Sequence, residues 1–344
     1  MFEFGDVNII YGENGQGKTN LIEAIYIFTG LKSFRANRDN ELVNFEKDVA
    51  KLALNFTGNN REQLARMQIE NTREAWLNEV KKRPSELGAS IKAVVFSPQH
   101  LSMVKDGPLV RREFVDNALC QIKSSYASVL NKYKTALTQR NALLKDIEKD
   151  SALEEMLPVW NVELAKEGAK IIFQRQKFAE ALSPYAKEIY AGLSNGREEI
   201  SLKMVGSFDY DGLGVPQIEE GLTLALANAT EDDKAVQHTT VGPHRDDLQI
   251  DINGHSARKF ASQGQQRSAV LALKLAEGRL LSDMTGVMPV ALLDDVMSEL
   301  DEKRQDYVLN HLNNMQIFVT CCDANSILRL QQGRLFHISE GRLI

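Results

Sequence analysis

The chain has 344 residues, 43% of them hydrophobic and 26% charged, with a formal net charge of −6. That is enough for a substantial core in one large domain or two. The acidic balance argues against a protein that coats nucleic acid with its whole surface, and leaves room for a local basic patch. No apolar run approaches the ~20 residues that span a bilayer. The opening Met1-Phe2-Glu3-Phe4-Gly5-Asp6 does not read as a secretory leader, so the expected address is the cytoplasm. Cys120, Cys321 and Cys322 lack ligand or disulfide spacing and read as reduced thiols.

Residues 7–11 read as a strand and 21–29 as a helix. Between them, Gly12-Glu13-Asn14-Gly15-Gln16-Gly17-Lys18-Thr19 has the P-loop pattern in the strand–loop–helix setting it needs. The glycines let backbone N–H groups turn toward phosphate oxygens at the positive end of the new helix. Lys18 then reaches the β- and γ-phosphates and the Thr19 hydroxyl can hold Mg²⁺, so a nucleoside triphosphate is expected here.

Beyond this helix, 49–56, 64–70 and 91–96 have strand periodicity. From about 109 to 193 the period becomes helical, with about three helices interrupted near Leu157-Pro158 and Ser183-Pro184. Residues 200–205 read as a strand, 218–229 as a helix and Thr230-Glu231-Asp232-Asp233 as a loop. A strand over 248–252, with Asn253-Gly254 as its hairpin turn, precedes a helix from Ser262. A buried strand over 290–293, a helix after Asp301 and a strand over 316–320 follow. The fold class expected is α/β.

Val290-Ala291-Leu292-Leu293 ends in Asp294-Asp295, as a buried strand does when it delivers a carboxylate to the sheet edge where a P-loop holds phosphates. In this Walker B reading Asp294 holds Mg²⁺ and Asp295 is the general base that orients the attacking water. Ser262-Gln263-Gly264-Gln265-Gln266-Arg267 precedes an apolar helix, which places Ser262 as an N-cap beside free N–H groups, a second anion site.

Ser262-Gln263-Gly264-Gln265-Gln266, then the Walker B strand, then Ser298-Glu299-Leu300-Asp301, resembles the signature motif and D-loop of the ABC-type ATPases. The P-loop through Asn20, Val110-Arg111-Arg112-Glu113-Phe114-Val115-Asp116, Val241-Gly242-Pro243-His244-Arg245-Asp246-Asp247 and residues 292–301 together resemble the RecF family, which is similar to the heads of SMC proteins but carries a short helical arm. The resemblance implies a P-loop head built from 1–106 and 236–344, with a mainly helical arm over 107–235. ATP with Mg²⁺ would lie against Gly12, Glu13, Asn14, Gly15, Gln16, Gly17, Lys18, Thr19 and Asn20. Lys18 and Asp295 would serve hydrolysis, and Ser262, Gly264 and Gln265 would act in trans on the γ-phosphate held by a second copy. It further implies a weak DNA-stimulated ATPase that dimerises on ATP, binds gapped single- and double-stranded DNA, and aids RecA loading with RecR and RecO in recombinational repair.

The chain departs from that pattern in two places. The family's first strand has no counterpart, which would leave a sheet edge unpaired. No histidine follows the 316–320 strand, where Cys321-Cys322-Asp323 stands, so Thr320 is a weak substitute for a γ-phosphate switch and slow hydrolysis is expected. Gln99 is a candidate Q-loop but reads better as a Pro-Gln turn. Lys123, Lys132, Lys134, Arg140 and Lys145 could contact phosphates, or form a solvated helix face. Arg111 and Arg112 suit an ion pair with Asp116 slightly better than a DNA contact, and His244 and Arg245 either face the nucleotide or shape a loop. A transporter-type or SMC-type ABC subunit is the alternative. The separation of P-loop from signature opposes the transporter reading, and the short arm without sustained heptads opposes the SMC reading.

Overall fold

Three short runs are buried along their whole length or nearly so: Ala93–Phe96, Val290–Leu293 and Ile317–Cys321. Runs of this kind belong to parallel strands covered on both faces. In chain order the strands are β1 (Val7–Tyr11), β2 (Ala50–Gly58), β3 (Arg61–Ile69), β4 (Arg73–Leu77), β5 (Val80–Lys82), β6 (Ala93–Phe96), β7 (Ile200–Val205), β8 (Asp247–Ile252), β9 (His255–Ser256), β10 (Val290–Leu293), β11 (Ile317–Cys321), β12 (Arg334–Ser339) and β13 (Arg342–Leu343). This computed structural model describes residues 2–36, 38–58, 60–322 and 333–344; Asp323 lies outside them.

Two units divide the chain: Met1–Met103 with Tyr185–Glu198 and Ser262–Ile344, and Val104–Pro184 with Glu199–Ala261. The last division falls at 261/262, whereas the sequence suggested 235/236. Its cause is strand pairing, because β8 pairs antiparallel with β7 from Ile200↔Ile252 to Val205↔Asp247, and β9 extends that sheet.

The first unit holds a six-stranded sheet in the order β13-β12-β1-β11-β10-β6, parallel except for the final β12–β13 hairpin. β1 has β11 on one side and β12 on the other, so the P-loop strand is paired on both edges. The preceding segment is tied down by Asn8, a fully buried amide that accepts from the Gly5 N–H and donates to the Gly5 and Ile317 carbonyls. A second, antiparallel sheet, β2-β3-β4-β5, alternates buried and open positions. Its inner face packs Ala65, Met67, Ile69 and Ala75 against Ile27, Phe28, Leu87 and Ile91. Each large side chain so buried contributes about 1.5–3 kcal/mol.

The second unit is mainly helical. Helix Ser124–Ile147 buries Tyr126, Leu130, Tyr133, Ala136, Arg140, Leu143, Leu144 and Ile147, a stripe at steps of three and four. Arg140 therefore lies inside, fully buried, donating to Asp233 at 2.6 Å, Asn161 at 2.7 Å and Thr239 at 2.8 Å. It is not a phosphate contact, and only Lys123, Lys132, Lys134 and Lys145 of the proposed set are exposed.

Two local expectations fail. Helix Leu157–Leu193 runs unbroken, with Pro158 in its first turn, where a missing N–H costs nothing, and Pro184 inside it. Thr230–Val236 is a helix rather than a loop. Its acidic run, Glu231, Asp232 and Asp233, occupies the first turn, where carboxylates favour the helix dipole.

Candidate nucleotide site

The parallel register brings the two phosphate-directed motifs together. β1 ends at Tyr11 opposite Cys321, and β10 ends at Leu293 opposite Val319, so P-loop and Asp294-Asp295 emerge at one sheet edge on either side of β11. This is the edge at which α/β sheets bind ligands.

The loop wraps as its glycines permit. Gly12 has φ +150°, and a Cβ there would stand 2.2 Å from the Ile338 carbonyl oxygen. Gly17 caps helix Lys18–Ile27 at φ +94°. Lys18 Nζ donates to the loop's own carbonyls, Gly12 at 2.7 Å and Glu13 at 2.9 Å, so the ammonium is held over the loop. A neighbouring support went unnoticed in the sequence: the β12–β13 turn grips Gln16, with the Glu340 N–H donating to its Oε1 and the Gly341 N–H to its carbonyl. Glu340 and Gly341 both have positive φ, the signature of a two-residue primed turn, and Glu-Gly between alternating residues is a weak sign of it. Cys322 Sγ donates to Asn14 at 3.1 Å.

Across the edge, Asp294 is buried, and its Oδ1 accepts from the Thr19 hydroxyl at 2.9 Å and the Thr320 hydroxyl at 3.0 Å. Carboxylate and hydroxyl oxygens converging beside a phosphate loop suit Mg²⁺, which takes one or two protein oxygens and completes its shell with phosphate and water. Asp295 is in the left-handed region at φ +52°, its N–H donating to Thr320 Oγ1 at 2.8 Å and its carbonyl accepting from Ser298. Burial raises its carboxyl above the ordinary range, Lys18 opposes this, and the charges of Asp294 and Glu299 add to it. A carboxylate raised in this way is better matched to general-base work near neutral pH. Thr320 is itself buried, with its hydroxyl bonded to both aspartates, and does not reach out as the expected phosphate switch.

In the same unit, Ser262 caps helix Gln263–Thr285 in a full capping box. Its Oγ accepts from the Gln265 N–H, and Gln265 Oε1 accepts from the Ser262 N–H. The other end of the Gln265 amide donates to Glu198 at 2.7 Å, and Glu198 also accepts from Tyr190. The Gln265 side chain is thus engaged at both ends, while Ser262 and Gln263 stay exposed. Arg267 bonds the Glu299 carbonyl and carboxylate, and Arg304 donates to the Gly264 carbonyl and to Ser268, so residues 264–268 and 299–304 form one cluster. Glu198 and Arg304 carry no sequence signal, because their partners are distant in the chain.

Other candidates are structural. Gln99 lies in a short helix, Pro98–Leu101. Arg111 pairs bidentately with Asp247 rather than Asp116, and Arg112 donates to the Asp246 carbonyl. Asp116 instead binds Arg175 and accepts from Tyr126. His244 sits between the Tyr133 hydroxyl and the Thr239 carbonyl, and burial drives its pKa down to about 4, so it shapes the loop as a neutral ring.

A P-loop and an Asp-Asp strand on one sheet edge, with a capped signature helix, define an ABC-type ATPase head. The sequence matches the family described as RecF/RecN/SMC N terminal domain over residues 2–339. It is 38% identical to the DNA replication and repair protein RecF of Agathobacter rectalis, over 98% of this chain and 92% of that one. Against the RecF of Ruminiclostridium cellulolyticum it is 42% identical, over 91% and 86%. The structure of the recombination mediator protein RecF-ATPrS in the RecFOR pathway superposes with a TM-score of 0.92 at 34% identity, covering 99% of this chain and 92% of that one. An Smc head domain from Pyrococcus furiosus shares the fold alone, at TM-score 0.50 and 18% identity, over 100% of this chain and 91% of that one. The chain belongs to the RecF family.

Proposed function

We propose that this protein is an ATP-switched, DNA-binding protein of recombinational repair that works in the RecFOR pathway, binds gapped single- and double-stranded DNA, and aids RecA loading with RecR and RecO. The observation that carries the reading is the meeting of Lys18, Thr19, Asp294 and Asp295 at one sheet edge in a chain of the RecF family. Related RecF structures carry ATP or ATPrS, which supports ATP as the nucleotide.

In this reading the P-loop from Gly12 to Asn20 holds the triphosphate, with Lys18 leaving its loop carbonyls for the β- and γ-phosphates. Thr19 and Asp294 supply oxygens to Mg²⁺, which when bound neutralises phosphate charge. Asp295 takes the proton of the attacking water. Ser262 and Gly264, at an exposed helix N-terminus, meet the γ-phosphate held by a second copy. Gln265 orients that turn through its capping box. ATP binding then closes the dimer and hydrolysis opens it, a switch more than a fuel. DNA is held through its backbone, with Lys123, Lys132, Lys134 and Lys145 as proposed contacts.

Light scattering without nucleotide, with ADP and with a non-hydrolysable ATP analogue tests this. The expected result is a mass doubling with the analogue alone, strengthened by gapped DNA. Ser262→Arg should bind ATP normally and stay monomeric, because the long cation fills the turn that has to approach the other copy. Normal ATP-dependent dimerisation of that variant would sink the trans arrangement.

A further inference from the structure

We infer that Thr320 is a positioning residue for hydrolysis: its buried hydroxyl fixes the Walker B turn by holding the backbone of Asp295 and the carboxylate of Asp294 at the same time. This rests on the ATPase reading above.

A non-glycine residue in the left-handed region is strained, and persists where its surroundings over-determine it. Asp295, at φ +52°, is the second residue after β10, and this turn sets the direction of its carboxylate. Asp295 donates its N–H to Thr320 Oγ1 at 2.8 Å, and the same hydroxyl donates its own proton to Asp294 Oδ1 at 3.0 Å. Thr320 is 1% exposed and sits on β11, the strand between β1 and β10, so one rigid strand sets both carboxylates. The bond from Thr19 to the same Asp294 oxygen is of a different kind. Thr19 belongs to the P-loop helix, and its hydroxyl is the group that would turn to Mg²⁺, whereas the Thr320 hydroxyl, among the described residues, bonds only the two aspartates and can hold Asp294 throughout. With its proton and a lone pair both used inside the protein, this hydroxyl is not available to sense the γ-phosphate.

The test compares Thr320→Val, which keeps the shape and removes the hydroxyl, with Thr320→Ser, which keeps the hydroxyl. At saturating ATP, single-turnover hydrolysis by Thr320→Val should fall roughly 10- to 100-fold, the scale of a misplaced catalytic group. Its ATP affinity should stay close to that of the parent chain, and Thr320→Ser should recover most of the rate. An unchanged rate in Thr320→Val, or a loss of affinity that accounts for the lost rate, overturns the proposal. Amide hydrogen exchange of nucleotide-free protein gives a reading independent of hydrolysis. The Asp295 N–H should lose protection in Thr320→Val and keep it in Thr320→Ser, while equal protection in all three proteins overturns the proposal as well. Failure of the ATPase reading would show separately, as no ATP hydrolysis by the parent chain.

Discussion

Asp295→Asn is expected to bind ATP about as tightly as the parent chain and to hydrolyse it roughly 100-fold more slowly or worse, the range for loss of a general base. The amide keeps the size of the carboxylate and the backbone bond to Thr320, so the turn survives. What is lost is the capacity to accept a proton. ATP should then accumulate unhydrolysed and hold the dimer closed, which light scattering after ATP addition detects as a persistent doubled mass. Lys18→Ala should fail one step earlier. It removes the only ammonium over the P-loop among the described residues, and charge-assisted bonds to phosphate are among the strongest available. Neither nucleotide binding in a titration nor the doubled mass should appear. Because burial raises the Asp295 carboxyl, acidification should quench hydrolysis at a higher pH than an ordinary carboxylate would, since the base is lost as pH falls through its raised pKa. A parent-like rate in Asp295→Asn would remove the residue from the chemistry.

Arg140→Ala should lower the unfolding free energy by about 3–5 kcal/mol, the cost of breaking one side of a buried ion pair. Both Arg140 and Asp233 are fully buried, and the truncation leaves a carboxylate inside the arm with the Thr240 N–H and hydroxyl as its remaining donors. Arg140→Met combined with Asp233→Asn should recover part of the loss, because no uncompensated charge remains. Urea unfolding with a shared slope measures both variants. A loss under about 1 kcal/mol would mean that the pair behaves like a solvated surface pair.

Much of the site was legible beforehand, because its chemistry lies in contiguous residues. The P-loop, the Asp294-Asp295 turn and the Ser262 cap are each written within a few positions, and a local backbone geometry is enough to give them meaning. The misreadings share the opposite property. By residue type Arg140 suits a surface cation, although its helix stripe of apolar neighbours at three- and four-residue steps points inward. Arg111 finds Asp247, 136 positions away, in place of the nearer Asp116. The acidic run after Thr230 suited a loop by composition and a helix start by position, and position won.

Sequence by itself determined the nucleotide loop, the Walker B turn, the capped signature helix and membership in the RecF family, since each depends on residue type at short spacing. Only the tertiary structure decided what stands between and behind them. Parallel pairing sets β11 between the two motifs and so presents Thr320 to both aspartates. The β12–β13 turn reaches back to Gln16, and Glu198 reaches Gln265. Such partners are chosen by strand register and by the demand that buried polar groups be satisfied, and neither is encoded in any short stretch of chain.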